Sequence, residues 1–400
     1  MIQNLQKNLT QNELRVFRAI YETELISRVK ISKELNLTRA AVSGITKRLV
    51  GFGLIHEVGK GSAVNGRGRR EVLLSINPSA GYIISIHFAL SYCSFGIVNL
   101  KGNILDKITR TFPLGTAPHD VLKNLDQEIF VMLEKNGIGK DKIYGVGTAI
   151  PGIVQQDEGK VCEITLKDWQ GFPLRDYLEK KLGFEVYIEN DVKTITLGEY
   201  QFGISKHVRN MVCLWFEDGI GAGIINDGRL IRGVTSSAGE IGFNEFIMDL
   251  PRKKSILFNG KPKYLGDILC FTNLKETIKR GLREGWNSQL TDKSDIEDFI
   301  NAVESGDPLG LYVIRLLGKV LGVLCANLTY SFNPQILLLA GPLFYRLPQL
   351  VDEIKTYFNR CYLRSPINSV ELKTSVLGED GITIGSVALI FEQLFKTELN

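Results

Sequence analysis

The segment ISKELNLTRAAVSGITKRLVGFGLI, residues 31–55, constrains the fold of this chain more than any other stretch. It contains two short helical patterns that meet at Leu37 and Thr38. Asn36 tolerates the left-handed backbone conformation that ends many helices, and Thr38 has a hydroxyl that can cap the next one. The segment therefore predicts two helices joined by a tight turn, the first from about Ser27 to Leu35.

The second helix of this pair has a predicted buried face. Val42, Ile45 and Leu49 follow one another at spacings of three and four, as the inner positions of an amphipathic helix do. An earlier helix begins where Thr10 and Glu13 stand at capping-box spacing. Three short helices with a tight turn before the third predict a helix-turn-helix.

The opposite face of the third helix has small and basic residues that suit the major groove of DNA. Arg39 can donate two hydrogen bonds to a guanine edge. Lys47 and Arg48 are expected to meet phosphates, which position a protein without specifying sequence. A plain three-helix bundle that serves dimerisation is the alternative. The residues of this helix that are predicted to contact DNA are Thr38, Arg39, Ala40, Ser43 and Lys47.

Positive charge is concentrated in the same part of the chain. Residues 1–76 contain 13 Lys and Arg against 6 Asp and Glu, a net charge of +7, whereas the remaining residues hold 35 against 38, a net charge of −3. Such an asymmetry is typical of a nucleic-acid-binding module joined to a near-neutral body. A solvated basic face is the alternative explanation, so charge supports the DNA-binding prediction without deciding it.

The next stretch, LIHEVGKGSAVNGRGRREVLLSINP, predicts a wing. Leu54–Val58 and Glu71–Ile76 have strand composition, and the residues between them are rich in glycine. In GRGRR, glycines allow close approach of the backbone and arginines suit a narrow, A·T-rich minor groove; a flexible solvated tip is the alternative. Asn77–Pro78 predicts the end of a DNA-binding domain over residues 1–78. The wing residues predicted to contact DNA are Arg67, Arg69 and Arg70.

From Tyr82 onward the pattern changes to an α/β body. YIISIHFAL, YCSFGIVNL and ILDKITRTF predict three strands, a helix follows from about His119 to Asn136, and IYGVGTAIPG predicts a strand that ends at Pro151–Gly152. A second strand-rich region begins at MVCLWFEDG. FGIVNLKGNIL, from Phe95, and AGIINDGRLI, from Ala222, share a Gly-Ile-aliphatic-Asn pattern and a glycine turn, which indicates a duplicated α/β fold.

The order of several motifs resembles the ROK family of repressors, open reading frames and sugar kinases. The resemblance covers nearly the whole chain. It rests on the winged helix together with AIPGIV, ENDVKTITLGEY, DGIGAGIINDGRLIRG, SAGEIGF and NPQILLLAGPL. It implies a duplicated actin-like ATPase fold, with a cleft between two lobes, over residues 79–400. The complete prediction is an α/β protein with an N-terminal winged helix-turn-helix and a sugar-kinase-like domain for ligand sensing and oligomerisation.

Polar residues of these motifs predict a ligand site. Asn190 and Asp191 follow the apolar strand VYI, and α/β folds place ligand contacts at the carboxyl ends of strands. The two side chains together can bind vicinal hydroxyls. The resemblance implies that Asp191 matches the kinases' base, which activates the sugar hydroxyl, and that Glu240 matches a sugar-binding Glu; a helix cap at Asp191 is the plain alternative. The predicted ligand-binding residues are Gly152, Asn190, Asp191 and Glu240.

Three departures from the family's pattern argue against kinase activity. Where the family's kinases have an Asp-Gly-Gly-Thr-like phosphate turn, residues 87–93 are HFALSYC, with bulky Phe88 and no carboxylate for magnesium. Phe243 replaces a His that contacts the sugar or zinc in many members, and Cys270 alone stands where some members have a zinc-binding cysteine cluster. The prediction is therefore no enzyme activity, no metal and no cofactor. DGIGAG, at residues 218–223, could cradle phosphate through backbone N–H groups or only shape a hairpin.

These observations predict a transcriptional repressor of carbohydrate-related genes whose operator affinity is controlled by a sugar or sugar-derived ligand. Its predicted partners are double-stranded operator DNA, the carbohydrate effector and further copies of the chain in a homodimer or higher homo-oligomer, because paired modules bind half-sites. Six widely spaced cysteines and the lack of an 18-residue apolar run or signal peptide predict a cytoplasmic protein without a membrane span. The alternatives are an active hexose kinase with an accessory DNA-binding module and a dimeric scaffold with an empty cleft.

Overall fold

A computed structural model describes residues 2–60, 71–163, 167–204, 208–244, 256–257, 264–361 and 363–396. The chain forms two compact units, one from residues 1–202 together with 381–400 and the other from residues 203–380. The helices are α1 (Ile2–Asn8), α2 (Gln11–Thr23), α3 (Arg28–Glu34), α4 (Arg39–Gly51), α5 (Pro118–Val121), α6 (Leu125–Lys135), α7 (Leu174–Leu182), α8 (Asp191–Gln201), α9 (Phe271–Arg283), α10 (Ile296–Glu304), α11 (Pro308–Phe332), α12 (Pro342–Arg346), α13 (Pro348–Phe358), α14 (Arg364–Ser369) and α15 (Gly381–Phe395). The strands are β1 (Ile26–Ser27), β2 (Ile55–Lys60), β3 (Val72–Ile76), β4 (Tyr82–Phe88), β5 (Tyr92–Asn99), β6 (Ile104–Thr111), β7 (Ile143–Ile150), β8 (Ile153–Gln155), β9 (Lys160–Glu163), β10 (Val186–Asn190), β11 (Met211–Phe216), β12 (Ile220–Asn226), β13 (Arg229–Leu230), β14 (Ile336–Ala340) and β15 (Glu371–Thr374).

The N-terminal region of the first unit is a winged helix. Helices α2, α3 and α4 are followed by β2 and β3, which pair antiparallel in a small sheet of order β1-β3-β2. The predicted capping box of α2 is present, with Thr10 and Glu13 each accepting a hydrogen bond from the other's backbone N–H. Asn36 has a φ of 52° between α3 and α4, and the Thr38 hydroxyl accepts a hydrogen bond from the Ala41 N–H at 3.2 Å. These local signals placed the helices correctly.

The buried face of α4 differs from the prediction at one position. Val42, Thr46 and Leu49 are fully buried, whereas Ile45 is half-buried. The Thr46 hydroxyl donates to the Val42 carbonyl oxygen at 2.8 Å and accepts from Arg28 Nε at 2.9 Å. A buried hydroxyl costs little when both its donor and acceptor roles are satisfied, so Thr46 takes an inner position at the same helical spacing as Ile45.

Both units contain a five-stranded sheet of the same topology. The strand order is β10-β7-β4-β5-β6 in the first unit and β13-β12-β11-β14-β15 in the second. In each, three consecutive strands form an antiparallel meander, and the last two strands extend it in parallel from the first strand. The duplicated α/β fold predicted from two short sequence patterns is therefore confirmed.

The helix predicted from about His119 to Asn136 is interrupted. It consists of α5 and α6, separated at Asn124, which has a φ of 62°. A left-handed residue cannot continue a right-handed helix, and Asn tolerates this conformation better than most residues. The apolar periodicity continues across the break, which is why the sequence predicted a single helix.

Helix α11 is long and apolar enough, by length and composition, to cross a membrane. Most of it is buried inside the second unit, where it packs against α13. Gly318 and Gly322 allow this contact, because a Cβ atom on Gly322 would lie 2.7 Å from Tyr357 Cβ. The structure thus accounts for its apolar composition as a core helix.

Candidate DNA-binding face and ligand site

The exposed face of α4 consists of the residues predicted to contact DNA. Arg39, Ala40, Ser43 and Lys47 are all exposed, and Thr38 is the exposed N-cap of the helix. Within the part of the chain that the structure describes, no carboxylate pairs with the Arg39 guanidinium or the Lys47 ammonium. The face therefore combines small side chains, which allow close approach, with two available cations.

Gly44 extends this face, although the sequence reasoning did not single it out. A Cβ atom at this position would meet no other atom within 4 Å. Gly in a helix interior costs about 1 kcal/mol relative to Ala, and nothing in the module's own packing requires it. The open space around Gly44 indicates that the α4 face leaves room for another molecule to approach the backbone.

Arg48 is engaged inside the module. Its guanidinium lies 3.1 Å from a carboxylate oxygen of Glu13, which is 3% exposed, and 5.5 Å from the centroid of the Phe52 ring. Glu13 thus serves both the capping box of α2 and this ion pair. A phosphate contact of the kind predicted for Arg48 would compete with the buried Glu13 carboxylate.

Three further predicted DNA contacts lie in the wing. They belong to the GRGRR stretch between β2 and β3, which falls outside the described residues. The strands that lead into and out of it are described, and Arg28 donates a hydrogen bond at 2.8 Å to Glu57 of β2. Since Arg28 also bonds Thr46 of α4, it ties the base of the wing to the third helix. The wing contacts stay predictions for Arg67, Arg69 and Arg70.

Arg39→Ala should weaken binding to a specific operator by about 1–3 kcal/mol if Arg39 binds a base edge with two hydrogen bonds. Lys47→Ala is the matched control, because a phosphate contact should be lost equally on operator and random DNA. Fluorescence anisotropy with both DNAs at one salt concentration measures the two losses. An equal loss on operator and random DNA for Arg39→Ala would assign Arg39 to phosphate instead.

Three of the four predicted ligand residues meet at one edge of the first unit's sheet. β7 and β10 are parallel neighbours, with Asn190 opposite Ile150, so their carboxyl ends lie side by side. The Asn190 amide donates to the Gly152 carbonyl oxygen at 3.0 Å. Gly152 has a φ of 96°, a conformation that favours glycine. The structure therefore brings Gly152, Asn190 and Asp191 together.

The helix cap lies at Asn190, one residue earlier than the alternative considered for Asp191. The Asn190 side chain accepts a hydrogen bond from the Lys193 N–H at 3.1 Å and is almost fully buried. Asn190 therefore shapes the site by holding α8 and Gly152. Asp191 is the first residue of α8, half-buried, and accepts from the Val192 N–H at 2.8 Å. The N-terminal end of the helix dipole stabilises its carboxylate.

Two buried charges stand beside this edge, and the sequence reasoning did not single them out. Glu189 and Lys193 are each 1% exposed. One Glu189 oxygen accepts from Gln156 Nε2 at 2.8 Å and the other from the Asn190 N–H at 2.8 Å. Buried charges require such partners. Charged residues inside an otherwise apolar strand-to-helix junction were the available sequence signal.

Glu240, the fourth predicted ligand residue, belongs to the second unit. It is half-buried and precedes a short 3-10 helix, Ile241–Phe243. Gly239 before it has a φ of 90°, and the Ala222 N–H donates to its carbonyl oxygen at 2.8 Å. A side chain at Gly239 would overlap the Ala222 carbonyl, so glycine is needed to seat this loop on β12. Phe243 is exposed, with its ring 6.2 Å from that of Tyr264.

The glycines of DGIGAG lie in the hairpin between β11 and β12. The Glu217 N–H donates to the Gly219 carbonyl oxygen at 3.0 Å across the turn, and Gly221 and Gly223 pair with β11. Burial raises the pKa of Asp218, and the nearby Lys275 ammonium opposes part of that rise. These contacts place the glycines in a hairpin, one of the two alternatives that the sequence leaves open.

The turn between β4 and β5 differs from a phosphate-binding loop. The Ala89 N–H donates to the Tyr92 carbonyl oxygen at 2.8 Å, which closes a tight hairpin. Phe88 points into the core, with its ring 5.2 Å from that of Trp169. On the opposite side of the strand, burial lowers the pKa of His87 to about 3, with Lys107 contributing, so its imidazole is neutral at physiological pH. Backbone donors and a carboxylate are the groups that nucleotide and magnesium require, and the side chains of this turn are instead apolar or neutral.

Metal-ligand chemistry is sparse in this chain. Over the described ranges, no group of three or more His, Cys, Asp or Glu side chains is arranged to hold a metal ion. All six cysteines are free thiols, three of them buried. Zinc needs about four such ligands. The prediction of no metal site stays a prediction, since the segment around residues 245–263 is described only at residues 256–257.

The sequence and the structure of this chain are similar to those of known proteins that combine these features. The model of the ROK family matches residues 83–393. The chain is 27% identical over 396 residues to the xylose repressor of Caldicellulosiruptor bescii, with 96% of each chain covered. It is 28% identical over 302 residues to a glucokinase of Halalkalibacterium halodurans, covering 73% of this chain and 89% of the kinase. A solved ROK family transcriptional regulator, described as a homolog of the E. coli MLC protein, superposes with a TM-score of 0.78 at 26% identity and covers 96% of each chain. These matches confirm the predicted winged helix followed by an actin-like α/β body.

Proposed function

The chain belongs to the ROK family, and we propose that it is a sugar-responsive transcriptional repressor. Its α4 face binds operator DNA in the major groove. A carbohydrate held near Asp191 changes the affinity for that operator. The kinase-like body acts as the sensor, and the winged helix as the output.

The exposed α4 face carries this proposal. The xylose repressor spans this chain almost from end to end, whereas the glucokinase spans 73% of it. The additional length in this chain is comparable to its winged helix, whose helix α4 presents basic and small residues to solvent. A kinase has no use for such a face, but a repressor requires one.

The chemistry of the predicted ligand site favours a neutral polyhydroxyl compound. Asp191 provides a partly exposed carboxylate, and hydroxyl groups are the donors that a carboxylate accepts in neutral ligands. Names of relatives suggest the first compounds to test, since they include a xylose repressor and an N-acetylglucosamine repressor. D-xylose, D-glucose and N-acetyl-D-glucosamine therefore form the initial panel.

Selection of bound sequences from a random double-stranded DNA pool tests the proposal. The full chain should enrich a site with two related half-sites, because a homodimer presents two α4 helices. One sugar of the panel should then change the affinity for the enriched site. Failure to enrich any sequence would contradict the repressor function.

Arg67→Ala combined with Arg69→Ala should reduce affinity most for sites with A·T-rich flanks. Narrow minor grooves attract arginine, and each lost phosphate-proximal cation also flattens the salt dependence. Binding to sites with A·T-rich and G·C-rich flanks, titrated over a range of salt, measures both effects. Unchanged affinity and salt slope would identify the stretch as a solvated tip.

An active sugar kinase with an accessory DNA-binding module is the second candidate, because of the glucokinase similarity and the retained Asp191. The hairpin at Phe88 and the neutral His87 oppose it, since phosphoryl transfer depends on positioned phosphates and magnesium. A coupled ATP-consumption assay over the sugar panel separates the two. Sugar-dependent turnover that disappears in Asp191→Ala would establish the kinase.

We extend the proposal to the compartment, the oligomeric state and the domain roles of the chain. The chain acts in the cytoplasm as a homodimer, with residues 1–78 as the DNA-binding domain and 79–400 as the sensing and oligomerisation domain. Gly152, Asn190 and Asp191 are the proposed sugar-binding residues of the first unit, and Glu240 is that of the second. Size-exclusion chromatography with light scattering tests the dimer, and alanine substitution of Glu240 tests its part in sugar affinity.

A further inference from the structure

We propose that α8 and α15 form one rigid pair that transmits the state of the ligand site to the winged helix, with Tyr21 as the contact point. This inference rests on the proposed function, because it specifies how that site regulates DNA binding. Its elements all belong to the first compact unit. Coupling between two sites requires an element that contacts the ligand, a rigid connection, and an interface with the DNA-binding module that can adopt two arrangements.

The first end lies at the predicted ligand site. α8 begins at Asp191, directly after the Asn190 cap. A hydroxyl bound by Asp191 would act on the first turn of this helix. The helix has 11 residues, which at the rise of an α-helix corresponds to about 16 Å. A displacement of its first turn is therefore carried over that distance.

The stiff connection is a close crossing of α8 and α15. A Cβ atom on Gly198 would lie 2.8 Å from the Gly381 carbonyl oxygen, and one on Gly385 would overlap the Thr194 carbonyl oxygen. The two backbones thus touch without intervening side chains. Farther along α15, the Ser386 hydroxyl lies 2.8 Å from that of Ser85 in β4. Closely packed helices move as bodies rather than deform continuously.

The second end of α8 touches the winged helix directly. Gln201 donates a hydrogen bond at 2.9 Å to the carbonyl oxygen of Tyr21, near the end of α2. The next residue, Phe202, presents its ring edge to Tyr21 at 6.0 Å. α2 packs in turn against α4, the helix with the proposed DNA-contacting face. The path from Asp191 to α4 therefore crosses two contacts, one between α8 and α2 and one between α2 and α4.

α15 reaches the same interface from the other side. The Tyr21 ring stacks on Phe391 with centroids 3.9 Å apart, and Phe17 lies 5.9 Å from Phe391 and 6.1 Å from Phe395. Gln6 donates to backbone carbonyl oxygens of α15. These aromatic side chains belong to one buried cluster shared by the winged helix and the body. The C-terminal helix α15 thus forms part of the surface against which the winged helix packs.

Tyr21 also places an unsatisfied polar group at this interface. Its hydroxyl is buried and, among the residues that the structure describes, has no hydrogen-bond partner. A buried hydroxyl without a hydrogen-bond partner is unfavourable. A small rotation of α2 on the α8–α15 pair that exposes or pairs this hydroxyl would recover part of that cost. Such a rotation would give this interface its second arrangement.

The thermodynamic reciprocity of coupled binding sites allows a test for which the sugar need not be identified. If ligand binding shifts the conformational equilibrium of the winged helix, then DNA bound to the winged helix must shift the conformational equilibrium of the ligand site. Hydrogen exchange followed by mass spectrometry on the full chain, with and without DNA selected from the random pool, measures this effect. We expect DNA to change exchange in the α8 peptide that begins at Asp191, as well as in α4.

Gln201→Ala and Tyr21→Phe should each remove the DNA-induced change in the α8 peptide while α4 remains protected. Gln201→Ala removes the hydrogen bond that joins the two elements. Tyr21→Phe keeps the ring stack and removes the unsatisfied hydroxyl, so it should fold with an unchanged or higher Tm. Gln127→Ala, on the exposed face of α6, is the matched control and should respond like wild type.

The outcomes separate this inference from the proposed function. Protection of α4 by DNA with no change in α8 of the wild-type chain would overturn the α8–α15 path and leave the repressor function intact. The same would follow from an α8 response that persists in both junction variants. Absence of any DNA-induced protection would instead overturn the repressor function, and the path with it.

Discussion

Asp191→Ala should abolish the effect of the sugar on operator binding and leave sugar-free operator binding intact. Allosteric effectors typically change the affinity for a second ligand about 5- to 150-fold, and this factor should fall to about one. Asp191 contributes a half-buried carboxylate to the predicted site, whereas the α4 face lies at the far side of the α8–α2 contact. Operator titrations with and without the sugar found in the panel measure the factor.

Asn190→Ala is the informative companion to that substitution. It removes both the α8 cap and the hydrogen bond to Gly152, and loss of a cap alone costs about 0.5–2 kcal/mol. Asp191→Ala should cost less, about 0.3–1 kcal/mol from the helix dipole. Thermal unfolding separates the two. A sugar response that survives in Asp191→Ala would remove this carboxylate from the ligand site.

Gly385→Ala should destabilise the first unit and disturb the winged helix as well. Its methyl group would overlap the Thr194 carbonyl oxygen of α8, so the two helices must separate. Overpacking of this kind costs about 1–3 kcal/mol. Because α15 also supports Tyr21 and Phe17, exchange protection of α2 should fall together with that of α8. Urea unfolding of the full chain and peptide-level hydrogen exchange measure the two effects.

Gly51→Ala is the matched control for this glycine substitution. Gly51 also lies in a helix, and a Cβ atom there would meet nothing within 4 Å. Both substitutions gain helix propensity, worth up to about 1 kcal/mol. Gly51→Ala should therefore leave stability unchanged or raise it. If Gly385→Ala behaves in the same way, α8 and α15 are not in the close contact described above.

The winged helix shows what local sequence determines. Thr10, Ser27 and Thr38 cap their helices as their neighbours in sequence require, and Asn36 adopts the predicted left-handed turn. These signals act over three or four residues, so the chain carries them without reference to the rest of the fold. The duplicated sheets were foreseen for a related reason, because both halves repeat the same strand and turn composition.

The inner and outer positions of α4 were decided by tertiary contacts. After Val42, either Ile45 or Thr46 could take the next buried position, because spacings of three and four both fit the period of an α-helix. Thr46 is buried because Arg28, 18 residues away, supplies a donor for its hydroxyl. The sequence predicts a phosphate contact for Arg48, and the structure adds an ion pair with the buried Glu13 carboxylate that such a contact would have to compete with. Sequence periodicity identifies the buried face of a helix. Hydrogen-bond and ion-pair partners on other helices and strands decide which polar residues lie on that face.

By itself, the sequence determined the helices of the winged helix, the residues at several of their ends, and the strand pattern that begins the α/β body, since caps, turns and strand patterns are local. Tertiary structure alone decided which of these ends meet. It joined Gly152 to Asn190, and it seated Tyr21 against α15, whose contact residue Phe391 lies far along the chain. Such contacts depend on how sheets and helices stack. The free energy of apolar burial favours any well-packed apolar partner, so no spacing of residues in the sequence identifies which partner a buried side chain will contact.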